Sequence, residues 1–312
     1  MPEIRKDYFE NDYVITTESV NRNSVVDGYK TNGSNKKNCI ICNIKKSKGK
    51  QKHKTFEIIE PMLKKLNYSL HIENKNHLII YDSDHKDKLH TNSVKQFTAL
   101  LGILRQTLGE LSTNSNSEYV SLCYNSGITS SIDTSHSRFE LITYDNVPPI
   151  IDVESNNFLT SIEDLGICPM CRIVNVELGG LRQVLSTSNF ISFIPWAPKV
   201  DFEQLIFPKK HQFSFIETDE KDLSDLSLLM RSVIGGMFSI LNIFDFSLYF
   251  HNSPSLNNKG KIHWHIEIVP HLRYNSALET DLSIYVNKNS PESCAKLLSK
   301  ASRSELAKLV GI

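Results

Sequence analysis

The chain carries no surplus of charge of either sign: 35 Lys and Arg residues balance 35 Asp and Glu, for a formal net charge of zero. General nucleic-acid binders show a basic excess, so nucleic acid is not an expected partner. No apolar run approaches the length of a membrane span, and the N-terminus, Met1-Pro2-Glu3-Ile4-Arg5-Lys6-Asp7, lacks the apolar core of a signal peptide. A cytoplasmic protein with no membrane contact is expected. Cysteine is scarce at 6 residues, and four of these form two C-x-x-C pairs, which in such a compartment read as metal ligands rather than disulfides. Cys123 and Cys294 are left as small buried hydrophobes.

What is present is repetition. His263-Trp264-His265-Ile266-Glu267-Ile268, read as a strand, puts His263, His265 and Glu267 on one face and Trp264, Ile266 and Ile268 on the other. An echo lies upstream in His136-Ser137-Arg138-Phe139-Glu140. Cys39-Ile40-Ile41-Cys42 answers to Cys168-Pro169-Met170-Cys171, and His85 answers to His211, each pair with its members about 130 residues apart. The same order of C-x-x-C, His and H-x-(R/H)-x-E occurring twice predicts a duplicated module. With 312 residues and 40% apolar content there is material for two domains, or for two halves sharing one core. The expected division is residues 1–150 and 151–312.

Each copy reads as strands, a metal loop, a helix and further strands. Residues 31–54 are rich in Lys, Asn, Gly and Ser and cannot build a core. His77 to Tyr81 reads as a buried strand. A helix is predicted from about Ser93 to Leu111, with Val94, Phe97, Leu100, Leu101, Leu104 and Leu108 on one face and Asn92 or Ser93 as its cap. Tyr119 to Tyr124 is the next strand. Residues 146–165, with Pro148-Pro149, read as the linker between copies. In the second copy Phe190–Ile194, Gln204–Phe207 and Phe246–Phe250 are strands, and a helix runs from about Glu220 to Leu241. A last helix starts at Pro291 and reaches about Val310. The fold class is therefore α+β: two tandem modules, each a mainly antiparallel sheet with a packed helix. Phe56 to Ile72 receives no assignment.

The repeated donors predict a four-ligand set per copy: Cys39, Cys42, His85 and His136, then Cys168, Cys171, His211 and His263. Two thiolates and two imidazoles suit a closed, structural zinc site. In the second copy Glu177, His251 and His265 offer a competing set that shares His263, and nitrogen and oxygen donors there would suit zinc or iron. A redox role for one C-x-x-C pair is the alternative.

Several motifs, in order along nearly the whole chain, are similar to galactose-1-phosphate uridylyltransferases, a branch of the histidine-triad superfamily. They are Ile4-Arg5-Lys6-Asp7, Cys39-Ile40-Ile41-Cys42, Asn125-Ser126-Gly127, Pro195-Trp196-Ala197-Pro198, Phe207-Pro208-Lys209-Lys210-His211, His263-Trp264-His265-Ile266-Glu267-Ile268, and Ile284-Tyr285-Val286-Asn287 before Pro291-Glu292. The resemblance implies paired half-barrel-like modules, a homodimer, zinc at the first ligand set, a second metal, and nucleotide sugars or sugar phosphates as ligands. It also implies transfer of a nucleoside monophosphate between sugar phosphates, through a histidine of an H-P-H-x-Q motif that attacks the α-phosphorus. Arg22, Asn125 and Gly127 fall on the family's ligand-contacting positions.

At the motif itself this chain departs. Arg138 stands for the nucleophilic histidine, Ser137 for the proline, Glu140 for the glutamine and Asp133 for a phosphate-binding serine. Arginine keeps its proton and cannot attack phosphorus. The expectation is a binding site without the family's covalent step. The alternatives are chemistry moved to His265, or Arg138 polarising a phosphate for attack by another group.

Overall fold

The computed structural model describes residues 3–8, 13–16, 54–74, 76–84, 89–114, 117–126, 136, 138–242, 245–254, 262–272 and 277–311. Its centre is a nine-stranded sheet in which every pairing is antiparallel. The earlier strands are β3 (Tyr68–Asn74), β4 (His77–Asp82), β5 (Tyr119–Asn125) and β6 (Arg138–Tyr144). The later ones are β7 (Gln183–Ser186), β8 (Phe190–Phe193), β9 (Gln204–Pro208), β10 (Phe246–His251) and β11 (His265–Pro270). Their spatial order is β3-β4-β6-β5-β10-β11-β9-β8-β7, so the early and late strands meet at one seam, β5 against β10. A small sheet of β1 (Glu3–Lys6), β2 (Tyr13–Thr16) and β12 (Ile284–Val286) ties the N-terminus to the end of the chain.

Seven helices are described: α1 (Lys54–Lys65), α2 (Val94–Asn114), α3 (Pro149–Leu165), α4 (Pro169–Glu177), α5 (Glu220–Leu241), α6 (Ala277–Leu282) and α7 (Pro291–Val310). The predicted α2 is present, and Ser93 caps it: Ser93 Oγ accepts from Gln96 N–H while Gln96 Oε1 accepts from Ser93 N–H. Phe97, Leu100, Leu101, Leu104 and Leu108 are buried, as their spacing requires. The Asp219 carboxylate accepts from Asp222 N–H to start α5, which stops at Asn242 in the left-handed conformation, φ 47°. By length and composition α5 could cross a membrane, but 67% of its most apolar window is buried, as in a core helix. Helix α7 opens with Ser290 as cap and Pro291 in its first turn.

One expectation fails. Residues 146–165 are not a linker: Pro149–Leu165 is a helix, with Pro149 in the first turn, where its missing N–H costs nothing and its fixed φ helps. Ile151, Glu154 and Phe158 form its buried stripe.

The sheet packs on both faces. Buried side chains of α2, α5 and α7 share one cluster with Leu78, Tyr124, Phe139, Phe250, Trp264, Ile266 and Ile268. On the other face Ile151 and Phe158 of α3, and Met170 and Val174 of α4, pack on Tyr119, Phe193, Leu205 and Phe207. Trp264, Ile266 and Ile268 thus point one way, as their alternation predicts, leaving His263, His265 and Glu267 to the other.

Candidate active site and metal centres

On the face of the sheet away from α2 and α5, β6 presents Arg138 and Glu140 next to Asn125 of β5, with Asn125 paired in register to Arg138. Glu140 is the common acceptor. Its Oε1 accepts from Arg138 Nε at 2.7 Å and from Asn125 Nδ2 at 3.3 Å, and its Oε2 lies 3.0 Å from His77 Nε2. Across the seam, the Ser247 hydroxyl donates to Asn125 Oδ1 at 2.8 Å and lies 2.8 Å from His271 Nε2. Burial lowers the pKa of His271, which favours the neutral ring.

Arg138 has no exposed surface, and its Nη1 and Nη2 find no hydrogen-bond partner among the described residues. A buried guanidinium with one carboxylate and two idle nitrogens has donor capacity left for an oxoanion. His77, Ser247 and His271 were not singled out from the sequence. The alternation of β10 and β11 would have placed the last two on this face, but nothing in their spelling marks them.

Two further clusters lie beside each other across β11. In the first, Cys168 sits at the N-cap of α4 and Cys171 one turn in, where the helix dipole favours a thiolate. Cys171 Sγ is 3.2 Å from His211 Nδ1 and 3.5 Å from His263 Nδ1, and the four donor atoms lie within 4.8 Å of one another. Hydrogen bonding from Cys171, then from the two histidines, pulls the Cys168 thiol far below its ordinary range, while Cys171 is pushed up by Cys168. Burial lowers the pKa of His263. Its Nε2 lies 2.8 Å from the Pro208 carbonyl, so Nε2 carries the proton and donates, and Nδ1 is left bare toward the sulfurs. An oriented neutral imidazole with two sulfurs is the donor chemistry of a closed zinc site.

His136 makes the matching contact in the earlier strands, Nδ1 to the Asp82 carbonyl at 2.7 Å. Each histidine also meets an aromatic edge-on, Tyr81 for His136 and Phe207 for His263. Of the ligand set predicted around His136, Cys39, Cys42 and His85 lie outside the described residues, as do Arg22, Gly127, Asp133 and Ser137.

The second cluster is Glu154, His251 and His265. His251 Nδ1 is 2.8 Å from Glu154 Oε2, and His265 Nε2 is 3.6 Å from Glu154 Oε1 and 3.8 Å from Glu267 Oε1. The competing set read from the sequence is not assembled here. Glu177 instead pairs with Arg182, and His263 turns to the cysteines. His263 and His265 share a face but stand about 6.7 Å apart along the chain, so they serve neighbouring sites. Glu154 was missed because its segment reads as linker.

Carboxylates surround the two imidazoles of this second cluster. Burial pushes Glu267 up, but His251 and His265 outweigh it and hold the carboxyl down at about 2. Burial, then the charge of Glu267, raises Glu203 to about 8. On the helical side, by contrast, a groove of about 1250 Å³ between α1, α2 and the start of α5 holds no histidine or cysteine.

No protein-family model matches the chain. Over 201 residues, 64% of this chain and 56% of the relative, it is 24% identical to ADP-glucose phosphorylase of Arabidopsis thaliana, so the match spans little more than half of that protein. Over 230 residues, 71% of this chain and 72% of the relative, it is 22% identical to galactose-1-phosphate uridylyltransferase of Thermotoga maritima. The crystal structure of an Arabidopsis thaliana ADP-glucose phosphorylase with bound ADP-glucose shares the fold, with a TM-score of 0.72 and 20% identity over 96% of this chain and 98% of that one. The homologues are thus galactose-1-phosphate uridylyltransferase-like proteins of the histidine-triad superfamily, as the sequence resemblance implies.

Proposed function

We propose that this protein binds a nucleotide sugar or sugar phosphate at Arg138, with no covalent nucleotidyl intermediate at that position. The observation that carries the reading is the buried guanidinium held by Glu140 through Nε, with Nη1 and Nη2 unpartnered among the described residues. A permanent cation with two idle donors binds a phosphoryl oxygen well and attacks phosphorus not at all. The named activities of the relatives, ADP-glucose phosphorylase and galactose-1-phosphate uridylyltransferase, supply the ligand class.

Transfer through His265 is the less supported reading, because Glu154 and Glu267 both face its Nε2 and would repel a phosphate. Zinc is proposed at Cys168, Cys171, His211 and His263, and at Cys39, Cys42, His85 and His136; zinc or iron is proposed at Glu154, His251 and His265. These sites supply anchorage for loops and helix ends, and a homodimer is the proposed assembly.

The test is calorimetric titration with ADP-glucose and UDP-glucose, followed by intact-mass analysis with acid-lability controls. Binding without an adduct, weakened at least about tenfold by Arg138→Ala, is expected. An acid-labile nucleotide adduct would overturn the non-covalent reading, and its loss in His265→Ala would move the chemistry to that residue. No binding of either nucleotide sugar by the wild type would overturn the reading as a whole.

A further inference from the structure

The hydrogen bonds around Arg138 have a direction that can be worked out. Glu140 only accepts, so the amide nitrogen of Asn125 must face it, which turns Asn125 Oδ1 toward Ser247. Ser247 must then donate its one proton to Asn125. Its oxygen is left as an acceptor, so the nitrogen of His271 that meets it, Nε2, carries a proton. The chain therefore runs one way, from His271 Nε2–H through the Ser247 hydroxyl and the Asn125 amide to Glu140, which also holds Arg138 Nε. Ser247 is not an activated nucleophile here, because its proton points away from the histidine.

We infer that Ser247 and His271 are positioning residues for an oxoanion seat formed by Arg138 Nη1 and Nη2, whose ligand is a phosphoryl group of a nucleotide sugar or sugar phosphate. The inference rests on the reading of Arg138 as an anion anchor. It adds that residues across the β5–β10 seam set the orientation of that anchor. Ser247 is buried and belongs to β10, and His271 directly follows β11. Without a donor at Oδ1 the Asn125 amide is no longer held from that side, its Nδ2–H bond to Glu140 loosens, and the carboxylate and the guanidinium it holds are free to shift.

Two measurements decide this. Isothermal titration with ADP-glucose and with inorganic phosphate is expected to show binding to wild type and about tenfold weaker binding for Ser247→Ala and His271→Ala. His271→Gln, which keeps an N–H donor, is expected to bind within about twofold of wild type, a rescue that a general loss of packing would not give. Ala variants that bind like wild type, or a Gln variant as weak as His271→Ala, would overturn the inference. The second measurement needs no ligand: ¹⁵N NMR of the His271 ring is expected to show a protonated Nε2. A bare Nε2 would overturn the inference even if nucleotide sugars bind. Failure of wild type to bind ADP-glucose, UDP-glucose and inorganic phosphate alike would remove the ligand and overturn the oxoanion seat together with the function proposed above. The two failures are thus distinct.

Discussion

Glu140 gathers donors from Arg138, Asn125 and His77, side chains of three adjacent strands, and the cost of removing it is correspondingly large. Glu140→Ala would strand a guanidinium with no exposed surface, and breaking such a buried pair costs about 3–5 kcal/mol. Replacing both members, Arg138→Met with Glu140→Leu, should cost less than Glu140→Ala alone; urea unfolding of the two variants checks the order. A second residue-level effect is pH-dependent. Glu203, raised from 4.5 to about 8 in the folded chain, binds a proton that the unfolded chain releases between those values. Its contribution therefore falls as pH rises from about 4.5 to about 8. Glu203→Gln should flatten that slope in thermal melts of metal-free protein, whereas a slope unchanged by the substitution would assign it to other groups. The arginine at position 138 of the repeated H-x-(R/H)-x-E pattern was legible in the sequence. Its environment was not, because a hydrogen-bond chain across strands 109 positions apart, Arg138 to Ser247, leaves no local pattern.

Among the elements, α5 and α7 approach closely at Gly236 and Ser302. At Gly236 an added Cβ would lie 2.6 Å from Ser302 Oγ and 2.7 Å from Ser302 N, well inside contact distance. Part of what it meets is α7 backbone, which has no rotamer to relieve the clash. Gly236→Ala should therefore destabilise by about 1–3 kcal/mol despite alanine's better helix propensity. Thermal unfolding would show it, and an unchanged melting temperature would mean that the helices slide apart freely. Helix α2 was readable because its cap and apolar period agree, and α7 because Pro291 marks its first turn. Helix α3 was not, since Pro148-Pro149 looks like a break until one knows that Pro149 begins the helix. With α3 went Glu154, the carboxylate that the fold gathers beside His251 and His265. Helix α1 went unassigned with Pro61 in its interior, where proline removes a helical hydrogen bond.

At the scale of the molecule, the seam between β5 and β10 decides how far a two-domain description can be taken. Asn125 faces Arg138 in one hairpin pairing and His251 faces His265 in the other, and β5 and β10 are neighbours in the middle of the sheet. This is the arrangement expected if residues 1–150 and 151–312 are copies of one module, and the division remains our proposal. Yet the buried cluster on the helical face runs without interruption from Leu63 and Leu104 to Trp264 and Leu298. Each piece alone would expose the edge of β5 or β10, together with apolar surface that the other piece covers. Residues 1–150 and 151–312 produced separately should therefore be aggregated or poorly folded, while co-expression should give a complex that binds the same ligands as the intact chain. Circular dichroism and amide hydrogen exchange on the separate pieces make the comparison. A cooperatively melting, monomeric 1–150 fragment would show that the seam joins two self-sufficient domains. The proposed zinc site sharpens the expectation for the second piece, since its candidate ligands Cys168, Cys171, His211 and His263 all lie within 151–312. That piece should keep its metal-dependent order when zinc is supplied and lose it to a chelator, even where its seam strand is left without a partner.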